Sequence, residues 1–186
     1  MMMNLQKDCD HILVSEEEIA QIVSDLGKRI TADYKDSKRP LLLVCILKGS
    51  VVFMADLMRA IDLPMQIDFM KVSSYGNGTV SGGHLNIILD LKREDLSKTD
   101  VLVVEDIVDS GRTLSYLKPY LLSKGAADVK CVTLLDKPSR RTADFTPDYT
   151  GKVIPDEFVV GYGLDYAEQY RNLPFVGVLK REIYST

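Results

Sequence analysis

Residues 101 to 113 run Val101-Leu102-Val103-Val104-Glu105-Asp106-Ile107-Val108-Asp109-Ser110-Gly111-Arg112-Thr113. Val101 to Val104 is apolar without alternation, the pattern of a strand buried on both faces of a parallel sheet. It enters an acidic, glycine-containing turn, and a helix follows to about Lys124-Gly125. A turn of this kind aims successive backbone N–H groups at one point at a helix N-terminus, which makes an anion site; the Ser110 and Thr113 hydroxyls add to it. Glu105 and Asp106 make poor phosphate ligands. They suit sugar hydroxyls and a divalent cation. The combination reads as a site for a ribose 5-phosphate, with an acid-capped strand-to-helix turn as the plain alternative. A Walker A loop is excluded, because no GxxxxGK[ST] occurs. Pro119 breaks the helical pattern. An interior proline costs about 3 kcal/mol, so a kink or a late helix start is expected.

The same logic extends outward along the chain. Leu41 to Leu47 is a second apolar run, bounded by Pro40 and Gly49, and Val129 to Leu135 is a third. Ser15-Glu16-Glu17-Glu18 opens a helix with a capping box. Ile19, Ile22, Val23, Leu26 and Ile30 then recur at helical spacing, with an end near Asp36. Val51 to Ile61 reads as helix, Met65 to Ser73 as strand and Gly76 to Gly83 as a glycine-rich loop. His84 to Asp90 reads as an antiparallel return strand. Arg140 to Lys152 reads as polar connection, and Val153 to Val160 and Phe175 to Leu179 as further strands. Strands alternating with helices indicate an α/β fold with a mainly parallel central sheet flanked by helices. Ligands of such sheets bind at the carboxyl ends of the strands. Chemistry is therefore expected just after Leu47, Val104, Leu135 and Val160.

The chain has 186 residues, 46% of them hydrophobic and 27% charged. That suits a single domain over 1–186, in keeping with ordinary soluble proteins. Asp and Glu outnumber Lys and Arg by 27 to 23, for a net charge of -4. A general nucleic-acid coat is disfavoured by that sign. The run Leu41 to Leu47 is too short to span a bilayer. Cys9, Cys45 and Cys131 are odd in number and widely spaced, which argues against a disulfide framework or a zinc site. Cys45 and Cys131 read as small buried hydrophobes. The N-terminus lacks the charged-then-apolar order of a secretory signal, so the default expectation is a cytoplasmic setting.

The segment VLVVEDIVDSGRTL, residues 101–114, resembles the phosphoribosyl-pyrophosphate signature of the type I phosphoribosyltransferases. The remainder resembles their 6-oxopurine branch, the hypoxanthine (hypoxanthine-guanine) phosphoribosyltransferases. The segments concerned are Leu47-Lys48-Gly49, Ser74-Tyr75, Leu135-Asp136-Lys137 and Phe158 to Tyr166 with Arg171, in order over about residues 10–182. The resemblance implies transfer of a phosphoribosyl group from phosphoribosyl pyrophosphate to hypoxanthine or guanine. The products would be IMP or GMP and pyrophosphate, with Mg²⁺ as cofactor. It also implies a small purine-binding hood built from the N-terminal segment and about 137–186, a flexible lid loop about 73–85, and a homodimer or homotetramer.

By that resemblance, Asp109 is the general base at purine N7, with a helix cap as the alternative. Glu105 and Asp106 bind the ribose and, with Asp165, Mg²⁺. Ser110, Gly111, Arg112 and Thr113 hold the 5-phosphate. Lys48 and Arg171 contact pyrophosphate, Gly49 is a further substrate-binding residue, and a cis peptide is implied at Leu47–Lys48. Ser74 and Tyr75 belong to a mobile flap. Lys137 follows a buried strand, so its ammonium reaches the sheet edge and donates to a 6-oxo group, which adenine lacks. Phe158 stacks on the purine, with core packing as its competitor, and Val159 meets the base through its backbone. Two other readings stand: a pyrimidine phosphoribosyltransferase, which needs no Lys137–Phe158 pocket, and a related RNA-binding regulator, which needs a basic face.

Overall fold

The computed structural model describes residues 5–74, 85–93 and 95–185. Strand β1 (Cys9–Val14) leads to helix α1 (Glu16–Tyr34), where the Ser15 hydroxyl accepts from the Glu18 N–H at 3.2 Å. This satisfies one of the amides left unpaired in the first turn. There follow β2 (Leu41–Ile46), α2 (Val51–Ala60), β3 (Met65–Ser74), β4 (Leu85–Leu89), β5 (Asp100–Val108), α3 (Arg112–Ser123) and β6 (Asp128–Asp136). The chain then forms β7 (Tyr149–Val153), β8 (Val159–Val160), β9 (Val176–Leu179) and a terminal turn of helix, α4 (Arg181–Tyr184).

Six strands form the main sheet in the order β4-β3-β2-β5-β6-β7. All pairings are parallel except β3 with β4. Every residue of β2 is buried, because helices cover both faces. Leu43, Cys45, Leu102 and Val104 pack with α1 and α2 on one side. Leu42, Val44, Val101 and Val103 pack with Leu114, Leu117 and Leu121 of α3 on the other. The parallel strands end at a common edge, so the segments after Ile46, Val108 and Asp136 lie side by side. A smaller antiparallel sheet, β1-β9-β8, stands apart over a core of Cys9, Val160, Tyr170, Leu173, Phe175 and Leu179. Among the described residues no helix is long and apolar enough to cross a membrane.

Four expectations need correction. Strand β5 continues past Val104 to Val108, because its ladder with β6 extends to the Val108–Asp136 pair. Glu105 and Asp106 are therefore strand residues. Helix α3 begins at Arg112 and carries Pro119 in its interior, so the late start is excluded. The run from Val153 to Val160 is not one strand. Pro155 lacks the N–H a ladder needs; Tyr149–Val153 completes the main sheet out of what reads as polar connection, and Val159–Val160 joins the small one. Strand β1 was not anticipated. Its partner β9 is distant in sequence, and its exposed Asp10, His11 and Ile12 hide the pattern.

Candidate active site

The turn after β5 is fixed from several sides. Gly111 has φ +78°, a left-handed conformation that glycine adopts without steric cost, and caps α3. The Ser110 hydroxyl accepts from the Arg112 N–H at 3.4 Å. The Ser110 carbonyl accepts from the Thr142 and Ala143 N–H groups at 3.0 and 3.1 Å. A cavity of about 270 Å³ opens here, lined by Asp109, Ser110, Gly111 and Thr113, by Glu105 and Asp106, and by Leu47 and Gly49.

Ser50, fully buried, ties the acidic pair to the start of α2. Its hydroxyl donates to Glu105 Oε1 at 3.3 Å and accepts from the Asp106 N–H at 3.0 Å. The Ile107 N–H holds Asp106 Oδ1 at 2.8 Å. Burial, together with the Asp106 charge alongside, raises the Glu105 pKa well above its ordinary value. Burial likewise raises that of Asp106. The Asp106 carboxylate lies against Gly49: a methyl group there would come within 1.6 Å of Oδ2. The Leu47–Lys48 peptide is cis.

A second cavity, of about 410 Å³, is lined by Lys137, Phe158, Val159, Leu164, Tyr184, Ile107 and Asp109, with Arg140, Asp156 and Glu157. Lys137 is buried, and its ammonium donates to the Glu157 carbonyl at 2.5 Å. Desolvation lowers its pKa. Phe158 is 39% exposed, so it is not a core residue. It stacks on Tyr184 at 4.7 Å and meets the edge of Tyr166 at 5.7 Å. Asp109 pairs with Arg140 at 3.1 Å, and Arg140 approaches Asp156 at 3.6 Å. Ile107 and Asp109 border both cavities.

Lys48, Asp165 and Arg171 line neither cavity and form a cluster beside them. Lys48 pairs with Glu168 at 2.8 Å, and Arg171 with Asp165 at 2.9 Å and Glu168 at 3.4 Å. Lys48 holds the Glu168 pKa below its ordinary value. Gly163 packs this loop onto the Lys48–Gly49 turn; it has φ +101°, and a methyl group on it would meet the Gly49 carbonyl oxygen at 2.0 Å. Arg112 starts α3 but does not line either cavity. Ser74 ends β3, while Tyr75, the 76–83 loop and His84 lie outside the described residues.

Sequence reasoning gave no individual role to Ser50, Arg140, Arg141, Leu164, Glu168 and Tyr184; Ser50, Arg140 and Glu168 reach partners 55, 31 and 120 residues away. It passed over Ile107, although an apolar residue between Asp106 and Asp109 was a usable signal.

Among the described residues no three His, Cys, Asp or Glu side chains make a ready metal cage. Two adjacent carboxylates of raised pKa still fit Mg²⁺, which is commonly bound through one or two carboxylates together with substrate phosphates and water. Asp165 is already engaged by Arg171.

A family model for the phosphoribosyl transferase domain matches residues 12–167. The chain belongs to this family. A hypoxanthine-guanine phosphoribosyltransferase of Staphylococcus epidermidis is 53% identical over 181 residues, 97% of this chain and 99% of that protein. The bifunctional protein TilS/HprT of Listeria monocytogenes is 52% identical over 182 residues, and there the chain spans only 28% of the relative's length. A crystal structure of a hypoxanthine phosphoribosyltransferase from Staphylococcus aureus superposes with a TM-score of 0.93 at 49% identity, covering all of both chains. The phosphoribosyl transferase match takes in the phosphate-side turn, Lys137 and Phe158. Glu168, Arg171 and Tyr184 lie beyond it.

Proposed function

We propose that this phosphoribosyl transferase domain moves the 5-phosphoribosyl group from phosphoribosyl pyrophosphate to hypoxanthine or guanine, in purine salvage. One observation carries the reading: Asp109 stands where a phosphate-side cavity meets a base-side cavity. The C1–oxygen bond to pyrophosphate breaks, a bond from C1 to purine N9 forms, and the N7 proton passes to the Asp109 carboxylate.

The 110–113 turn holds the 5-phosphate, so binding energy remote from the reaction orients C1. Glu105 and Asp106 accept from the ribose hydroxyls and offer negative surroundings to a ribose ring that becomes oxocarbenium-like. The Glu105 and Asp106 carboxylates would hold Mg²⁺ together with the substrate, and the ion would supply positive charge to offset that on the pyrophosphate. Lys48 and Arg171 receive the pyrophosphate once Glu168 yields them. Phe158 stacks on the base for about 1–3 kcal/mol, and Ile107 and Leu164 line the same cavity. Lys137 donates to the 6-oxo group. A site built around one hydrogen bond discriminates by about 10⁴-fold or more against a base that cannot make it. The small sheet and the residues leading to it serve as the purine hood.

A homodimer or homotetramer and a cytoplasmic setting belong to the same proposal. Three buried, unpaired cysteines suit reducing conditions, and sedimentation tests the assembly. The deciding assay offers phosphoribosyl pyrophosphate and Mg²⁺ with hypoxanthine, guanine, xanthine, adenine, uracil and orotate in turn. Turnover of the 6-oxopurines without adenine or the pyrimidines is expected. Equal use of adenine removes the Lys137 assignment, and use of uracil or orotate alone overturns the purine reading.

A further inference from the structure

Arg141 comes from a segment to which neither the signature nor the mechanism above gives a role. Its side chain runs inward and is only 15% exposed. One guanidinium nitrogen, Nη2, pairs with the Asp136 carboxylate, itself largely buried. The other, Nη1, donates to the backbone carbonyl of Asp109 at 2.8 Å. Its Cδ lies so close to Gly111 that a methyl group there would come within 2.9 Å of it. The two residues after Arg141 donate their N–H groups to the Ser110 carbonyl. Asp136 directly precedes Lys137, whose N–H is bonded to the Val108 carbonyl.

One planar fork therefore spans the end of β6, which carries Lys137, and the turn that carries Asp109 and the phosphate-binding amides. We propose that Arg141 is a positioning residue for this reaction: anchored on Asp136, it fixes the backbone of Asp109 and so the distance between the proton acceptor, the 5-phosphate turn and the 6-oxo donor. It touches no substrate itself. The proposal rests on the assignments of Asp109 and the 110–113 turn made above. Guanidinium geometry is essential to it. A lysine offers a compact charge without a rigid fork; it can keep the pair with Asp136 but cannot hold both partners in one plane.

The test compares Arg141→Lys and Arg141→Ala with the parent protein and with Asp109→Ala. Steady-state kinetics with hypoxanthine and phosphoribosyl pyrophosphate are measured in both directions, alongside thermal midpoints and the folded fraction by circular dichroism. Arg141→Lys is expected to keep its thermal midpoint and its KM for hypoxanthine, and to lose about 10-fold or more in kcat, the scale on which small misplacements act. Forward and reverse rates fall together, since they share one transition state. Arg141→Ala loses more in kcat and also melts earlier. Parent-like kcat per folded molecule in Arg141→Lys overturns the proposal. So does a loss in both variants that only follows the folded fraction. Undiminished turnover in Asp109→Ala shows instead that the proton-acceptor assignment is at fault, whatever Arg141 does.

Discussion

Replacing Gly49 by alanine asks whether Asp106 has to stand where it does. Gly49 is not among the residues in the left-handed region, so its backbone tolerates alanine and the effect is steric. The new methyl group would lie 1.6 Å from Asp106 Oδ2 and 2.8 Å from Cγ. The carboxylate has to retreat to at least the 3.4 Å of ordinary contact. Turning away also strains the bond from the Ile107 N–H to Oδ1, worth about 1 kcal/mol net. Because the obstacle is the end of a side chain, the fold survives, at a cost of about 1–3 kcal/mol for overpacking. The rate does not. A shift of ~1 Å at a group that orients the reacting centre costs about 10²-fold, and here the group would carry both ribose and Mg²⁺. We expect kcat/KM for phosphoribosyl pyrophosphate to fall by about that factor, with saturation moved to higher Mg²⁺. Initial rates of IMP formation over a Mg²⁺ series, with thermal midpoints as control, measure both. Parent-like kcat/KM and Mg²⁺ dependence in Gly49→Ala would refute the role given to Asp106.

Three further outcomes are expected. Asp109→Ala lowers kcat by about 10²-fold and barely alters stability, because its side chain is 46% exposed and its ion pair is a surface one; calorimetry beside kinetics checks the split. Lys137 titrates below the ordinary lysine value of 10.5 because burial disfavours its charge. Its donor is therefore lost as pH rises through the lowered value, and KM for hypoxanthine climbs on the alkaline side. In Lys137→Met, KM is already high at neutral pH and the extra alkaline climb is absent; matching profiles would remove Lys137 from the donor role. Gly163→Ala places a methyl group against a backbone oxygen that cannot step aside, in a conformation that costs an L-residue about 1–2 kcal/mol. It should lower the thermal midpoint and raise KM for pyrophosphate in the reverse reaction.

The buried strands of the main sheet are legible because helices on both faces leave no room for polar residues, as Leu41 to Ile46 show. The phosphate turn is legible for a related reason: its chemistry is local, carried by consecutive backbone amides from Ser110 to Thr113. Edge elements are not. Tyr149–Val153 mixes Thr150, Gly151 and Lys152 into a strand that, among the described residues, pairs with β6 alone. Strand β1 finds its partner more than 160 residues away. The supporting contacts are hidden for the same reason. Ser50 serves an acid 55 residues distant, Arg141 a carbonyl 32 away, and Lys48 meets Glu168 across 120. Periodicity carries no record of such pairings, whereas the resemblance to a family supplied Lys48 and Arg171 without them.

The pairing of Cys9–Val14 with Val176–Leu179 has a consequence for biosynthesis. During translation the main sheet can assemble up to β7 while β1 still lacks its strand partner. Its backbone donors stay bonded to water until Val176–Leu179 has left the ribosome. Nascent chains halted before residue 176 should therefore already protect β2 and β5 from protease, yet remain open to cleavage near Ile12.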